Sequence, residues 1–169
     1  MLGQARAQLG RTTEGIALIR QGLAGLLEIG MRLTVPYITA SLAEAQEREG
    51  AITDALGTVE QGLQANPREL LFYRPEALRL RGELRRKTGQ PELAEADFRE
   101  SIESIALAQK MSAKAWELRA TTSLARLLPL RDRRDEARTM LAEIYGWFTA
   151  GFNTADLKDA KSMLDQLNA

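Results

Sequence analysis

The feature that most restricts the fold of this chain is a doublet of small residues, twelve positions apart, that occurs four times. The doublets are Gly3 and Gly15, Ala43 and Ala55, Gly82 and Ala94, and Ala125 and Ala137. They recur at intervals of 40, 39 and 43 residues. Four positions after each second member stands a large apolar residue: Ile19, Val59, Phe98 and Leu141. Leucine precedes three of the first members (Leu2, Leu42, Leu124), and Arg81 precedes the fourth. Helix axes approach closely only where neither helix carries a bulky side chain, and a large residue one turn further on fills the remaining gap. The pattern therefore predicts helical hairpins, each closed by a small-on-small contact and stacked in series.

The apolar periodicity agrees. Ile52, Leu56, Val59 and Leu63 fall at three- and four-residue steps, which lines one helix face. Leu93, Phe98, Ile102 and Ile105 are read the same way in the following pair. Val, Ile and Thr never alternate over a strand-length run. Helices are expected over 1–9, 12–29, 36–49, 51–65, 74–88, 91–109, 112–128, 133–149 and 154–167. Gly50 and Gly89 suit helix C-termini, where a left-handed residue is needed. Pro36, Pro75 and Pro91 suit first turns, where a missing N–H costs little. Pro67 is expected to turn the chain between pairs, and Pro129 to shorten the helix before it.

Paired helices with small residues at a fixed register resemble tetratricopeptide repeats, although those repeat every 34 residues. An all-α, TPR-like α-solenoid of antiparallel helix pairs is the expected fold, forming one domain over 1–169. It holds about four pairs, and 154–167 serves as a capping helix. The first pair reaches its small residue already at Gly3 and carries no polar cap. The expectation is a piece of a longer chain, able to self-associate through its N-terminal face. Toward the other end, Tyr145, Trp147, Phe148 and Phe152 fall within eight positions. Trp147 and Phe148 follow Met140, Leu141 and Ile144 at helical spacing, which predicts a buried structural cap rather than a ligand pocket.

Composition excludes several chemistries. The chain has no Cys and no His, so zinc sites, disulfides and imidazole catalysis are out of reach. No metal and no cofactor is expected. Lys+Arg and Asp+Glu are both 23, so a nucleic-acid partner is not indicated. No apolar run spans a bilayer, and no secretory leader is visible at the N-terminus, which suggests a cytoplasmic protein. Carboxylate pairs such as Glu44 with Glu47 read as solvated helix faces. The run RDRRDEAR, residues 131–138, reads as a surface turn.

If the first helix of each pair lines a concave surface, its inward positions are Tyr37, Ser41, Glu44, Arg79, Glu83, Arg86, Arg119, Ser123 and Arg126. Four of these nine are arginines, whose planar forks match carboxylates and phosphates. The competing reading is that they pair with neighbouring glutamates as ordinary ion pairs.

The segments EGIALIRQGLAGL, PYITASLAEAQEREG, ELRATTSLARL and EARTMLAEIYGWFTAGFNTADLKDAKSMLDQL carry a resemblance. They look like the C-terminal helical-repeat region of large bacterial signalling proteins of the adenylate or guanylate cyclase and predicted-ATPase kind. The resemblance implies a regulatory setting, with catalysis in another domain and these repeats acting as scaffold. No nucleotide-binding or cyclase motif of that family occurs in this chain. Two functions follow as expectations: a non-catalytic protein-interaction module for a protein, a peptide or other domains of its parent chain, or a sensor holding a small anionic ligand in the groove.

Overall fold

The computed structural model describes residues 2–31, 34–65, 73–107 and 113–168. Helices α1 (Leu2–Gln8) and α2 (Thr12–Glu28) form the first hairpin, and α3 (Val35–Arg48) and α4 (Ile52–Ala65) the second. Helices α5 (Arg74–Lys87) and α6 (Pro91–Leu107) form the third, and α7 (Ala113–Leu127) and α8 (Arg134–Gly146) the fourth. A 3₁₀ turn at Leu128–Arg131 joins α7 to α8, and α9 (Ala155–Asn168) ends the chain. No strand occurs among the described residues. Each hairpin packs on the next, and α1, α3, α5, α7 and α9 touch in succession along one side. The chain is an all-α solenoid.

The small-residue doublets sit where the spacing put them. A Cβ on Gly3 would lie 2.8 Å from the Gly15 carbonyl oxygen and from Ile19 Cγ1. One on Gly82 would lie 2.5 Å from the Phe98 ring. Ala43, Ala55, Ala94 and Ala137 are wholly buried. The large residues one turn on, Ile19, Val59, Phe98 and Leu141, are buried against them.

Local signals also behave as their chemistry dictates. Gly50 and Gly89 adopt φ +86° and +75° just beyond α3 and α5, a region strained for any residue with a Cβ. Pro36 and Pro75 stand in first turns, and α6 begins at Pro91. Pro129 falls in the 3₁₀ turn, so α7 ends at Leu127. The turn expected at Pro67 lies outside the described residues. No described helix is long and apolar enough to cross a membrane.

Two expectations fail on the helical face they assumed. Leu93 is 47% exposed, whereas Phe98 is fully buried and Ile102 half-buried. A five-residue step advances about 500°, so Leu93 points roughly 140° away from Phe98. The side chain of Ile105 lies outside the described set. Near the C-terminus, Phe148 and Tyr145 pack on the core formed by Leu141, Ile144, Leu157, Ala160 and Leu164. Trp147 instead is 59% exposed, and Phe152 is 47% exposed. At about 100° per residue Phe148 returns to the bearing of Leu141, while Trp147 falls roughly 120° from it. Trp147 stands edge-on to Phe148, with centroids 5.3 Å apart, and beneath Lys114 Nζ at 5.9 Å. Phe152 leans on Tyr145 at 5.8 Å. The apolar contacts on this side of the fourth hairpin are made by α9, Tyr145 and Phe148. Trp147→Ala should therefore cost under about 1 kcal/mol rather than the ~3–5 kcal/mol of a buried tryptophan. In a Trp116→Phe background, Trp147 fluorescence should be red-shifted and readily quenched by acrylamide.

Where three repeats carry leucine, the third carries Arg81, and the substitution is matched across the hairpin. Asp97 on α6 is 2% exposed. Its Oδ1 accepts from Arg81 Nη2 at 2.6 Å and Nε at 3.0 Å, and its Oδ2 from Arg85 Nη1 at 2.9 Å. The basic run after α7 is also engaged. Arg131 Nη1 and Arg133 Nη1 both donate to Glu95, at 2.9 and 2.6 Å, which ties the fourth hairpin to the third.

Candidate functional site: the concave cleft

Along the side formed by the first helices runs a cleft of ≈ 520 Å³. Its walls come from α1, α3, α5, α7 and α9, so the cleft spans the whole stack. Register explains who lines it. Tyr37, Glu76 and Arg119 stand six positions before the small residue of their helix, and Glu44 and Arg126 one position after it. These positions share one helix face.

Seven of the nine residues expected in a groove line this cleft: Tyr37, Ser41, Glu44, Arg79, Arg119, Ser123 and Arg126. Glu83 and Arg86 do not. They close on each other at 3.0 Å along α5, which keeps both heads on their own helix. Several lining residues carried no expectation: Gln4, Gln8, Ala40, Arg48, Tyr73, Glu76, Trp116, Asp156 and Asp159. Tyr73 and Trp116 both lie nine positions before the small residue of their repeat, a register signal that could have found them. Asp156 and Asp159 belong to α9, which continues the row of first helices instead of lying outside it.

The charges are balanced: four arginines (Arg48, Arg79, Arg119, Arg126) face four carboxylates (Glu44, Glu76, Asp156, Asp159). Of the two readings of Arg79, Arg86, Arg119 and Arg126, the ion-pair one describes all four. Arg79 grips Glu76 with both arms, Nη2 at 2.7 Å and Nε at 3.0 Å. Burial opposes the charge on Arg79, and the adjacent Glu76 more than offsets it, so its pKa lies above the ordinary arginine range. Arg119 Nε donates to Asp156 Oδ2 at 2.8 Å, and its Nη1 stands 3.6 Å from Glu76. Arg126 pairs with Asp159.

Glu44 differs from the other carboxylates. Its ion-pair contact is with Arg48, 3.9 Å away and too long for a hydrogen bond. Burial, reinforced by the Glu76 carboxylate, pushes its pKa above the usual range despite Arg79, Arg48 and Arg119. One edge of the cleft is aromatic. The Tyr37 and Tyr73 rings stand 5.5 Å apart, and Tyr73 and Trp116 6.3 Å. Tyr37 Oη donates to Gln4 Oε1 at 3.1 Å, and Ser41 Oγ to the Tyr37 carbonyl at 3.0 Å. Beneath Trp147, a smaller depression of ≈ 250 Å³ is lined by Ile102, Lys114, Met140 and Ile144 among others, and by none of the other three clustered aromatics. No described group of three or more Asp, Glu, His or Cys could hold a metal ion.

Comparison with solved structures decides the fold family. A Podosopora anserina protein assigned as a kinesin light chain, with nearly identical TPR-like repeats, superposes with a TM-score of 0.72. A point variant of it superposes at 0.74. The alignments cover 98% of this chain and 82% and 81% of those chains, at 17% identity. The fold is TPR-like. No protein-family profile and no curated protein matches this chain. The repeats are longer than the 34 residues usual for such arrays.

Proposed function

We propose that this chain is a protein-interaction module that receives an extended segment of a partner in its concave cleft. The observation that carries the reading is the cleft itself, continuous across all five first-row helices and walled by aromatic and charged side chains. A TPR-like array presents an inner surface that continues from repeat to repeat, which suits an extended peptide. The small-anion alternative loses support because Arg79, Arg119 and Arg126 already hold carboxylates. The resemblance to repeat regions of bacterial cyclase- and ATPase-type signalling proteins suggests the setting: a cytoplasmic regulatory scaffold, with the partner another protein or another domain of a longer chain.

Peptides selected on the wild-type protein from a random-peptide display library test the site. They should change Trp116 fluorescence and lose binding to a Tyr37→Ala/Trp116→Ala variant. Peptides that bind the variant as well as wild type would place the interface elsewhere.

A further inference from the structure

The charges of the cleft, four against four, favour neither sign of partner. Selectivity of another kind begins where the cleft meets α1. Gln4, Tyr37 and Ser41 line the cleft and also a second depression of ≈ 170 Å³ between α1, α2 and α3. Leu2, Leu18, Ile19 and Ile38 line this recess as well, and no charged residue does. The two hydroxyls on its wall are already engaged: Tyr37 Oη donates to Gln4 Oε1, and Ser41 Oγ to the Tyr37 carbonyl. We infer that the recess takes one apolar side chain, of leucine or phenylalanine size, from the extended peptide segment that lies in the cleft.

Size, chemistry and position agree. A pocket of about 150 Å³ with apolar walls is enough for a benzene-sized guest. A charged head placed among these residues would lose hydration with no opposite charge to meet. An apolar one would gain from the surface removed from water. Leu2 is 61% exposed and Tyr37 39%, so an arriving side chain has apolar surface to cover. Gly22 keeps the recess open on its α2 side, since a Cβ on it would meet nothing within 4 Å. Side chains on a helix lean toward its N-terminus, so a larger residue at position 22 would lie over the turn that carries Leu18. The three shared residues make the two spaces neighbours, within reach of one side chain from a segment in the cleft. The inference rests on the peptide-groove reading and adds the residue class that sets specificity beside α1.

Peptides selected from the same display library test it, measured in a Trp147→Phe background so that Trp116 is the sole tryptophan. The binders should share one Leu, Ile, Met or Phe whose change to Ala lowers affinity about tenfold or more. Gly22→Leu should fill the recess and weaken the same peptides about tenfold or more. Its circular dichroism should be native and its Tm equal or higher, because leucine is the better helix former. Gly57→Leu, a comparable change on α4 outside both spaces, should bind as wild type does. Peptides that shift Trp116 fluorescence but bind Gly22→Leu as tightly as wild type, or that share no apolar anchor, would overturn the recess assignment and leave the groove reading standing. Equal weakening by Gly57→Leu would overturn it too, since the loss would then follow the helix change and not the filling of the recess. A wild-type dimer that Gly22→Leu converts to a monomer would give the recess to a second copy of the chain and overturn the peptide assignment. Failure to select any peptide that shifts Trp116 fluorescence would overturn both readings.

Discussion

Replacing Phe98 by alanine is expected to cost about 3–5 kcal/mol, measured as the loss of unfolding free energy in urea. Phe98 is fully buried, and its ring is the surface on which Gly82 rests. The same contact makes Gly82 intolerant: a Cβ there would lie 2.5 Å from the ring, inside any real van der Waals contact. Gly82→Leu should cost about 3 kcal/mol, the upper part of the range for overpacking, because neither the ring nor the α5 backbone can withdraw. The two sites should be strongly coupled. In a Phe98→Ala background, Gly82→Leu should cost much less, since the added side chain then fills the vacated space. Additive losses would show that the α5–α6 contact is not closed by this glycine.

The second large effect belongs to Asp97. Asp97→Ala leaves two guanidiniums, Arg81 and Arg85, facing an apolar interface without their shared carboxylate. Breaking a buried pair typically costs ~3–5 kcal/mol. Both arginines keep some solvent contact, and Arg85 retains Glu60 at 3.2 Å. The expected loss is therefore about 2–4 kcal/mol. The rescue is specific. Residues sixteen positions apart at this register are Arg81 and Asp97 in the third repeat, and Leu124 and Met140 in the fourth. Leu124 and Met140 belong to one apolar cluster. Arg81→Leu/Asp97→Met copies that solution at two positions and leaves Arg85 to Glu60, so it should recover part of the loss, as apolar replacements of buried ion pairs often do. A double variant no more stable than Asp97→Ala would show that the arginine pair is needed for more than filling this seam.

The register of the hairpins was legible in the sequence because steric exclusion leaves a direct trace. Only small residues fit where Gly3 meets Gly15 and where Gly82 meets Phe98. The cleft was legible to the extent that it obeys the same register, which is why Tyr37, Arg79 and Arg126 were found and Tyr73 and Trp116 could have been. What escaped depends on contacts between elements far apart in sequence. The carboxylates that neutralise Arg119 and Arg126 lie 37 and 33 residues away on α9, and nothing local announces that α9 joins the inner row. Trp147 was misplaced for a different reason. Trp147 lies about 120° round from Leu141, and α8 ends at Gly146.

The position of α9 makes the terminal helix a tuning element. It packs Leu157, Ala160, Leu164 and Leu167 into the core of the fourth hairpin, while Asp156 and Asp159 supply half of the cleft's negative charge. Packing against the fourth hairpin and the charge of the inner surface are thus written on adjacent faces of one fourteen-residue segment. Exchanging those two aspartates for asparagines would leave the repeats untouched and give the channel two excess positive charges. A lineage of such arrays could change what it captures by revising its last helix alone.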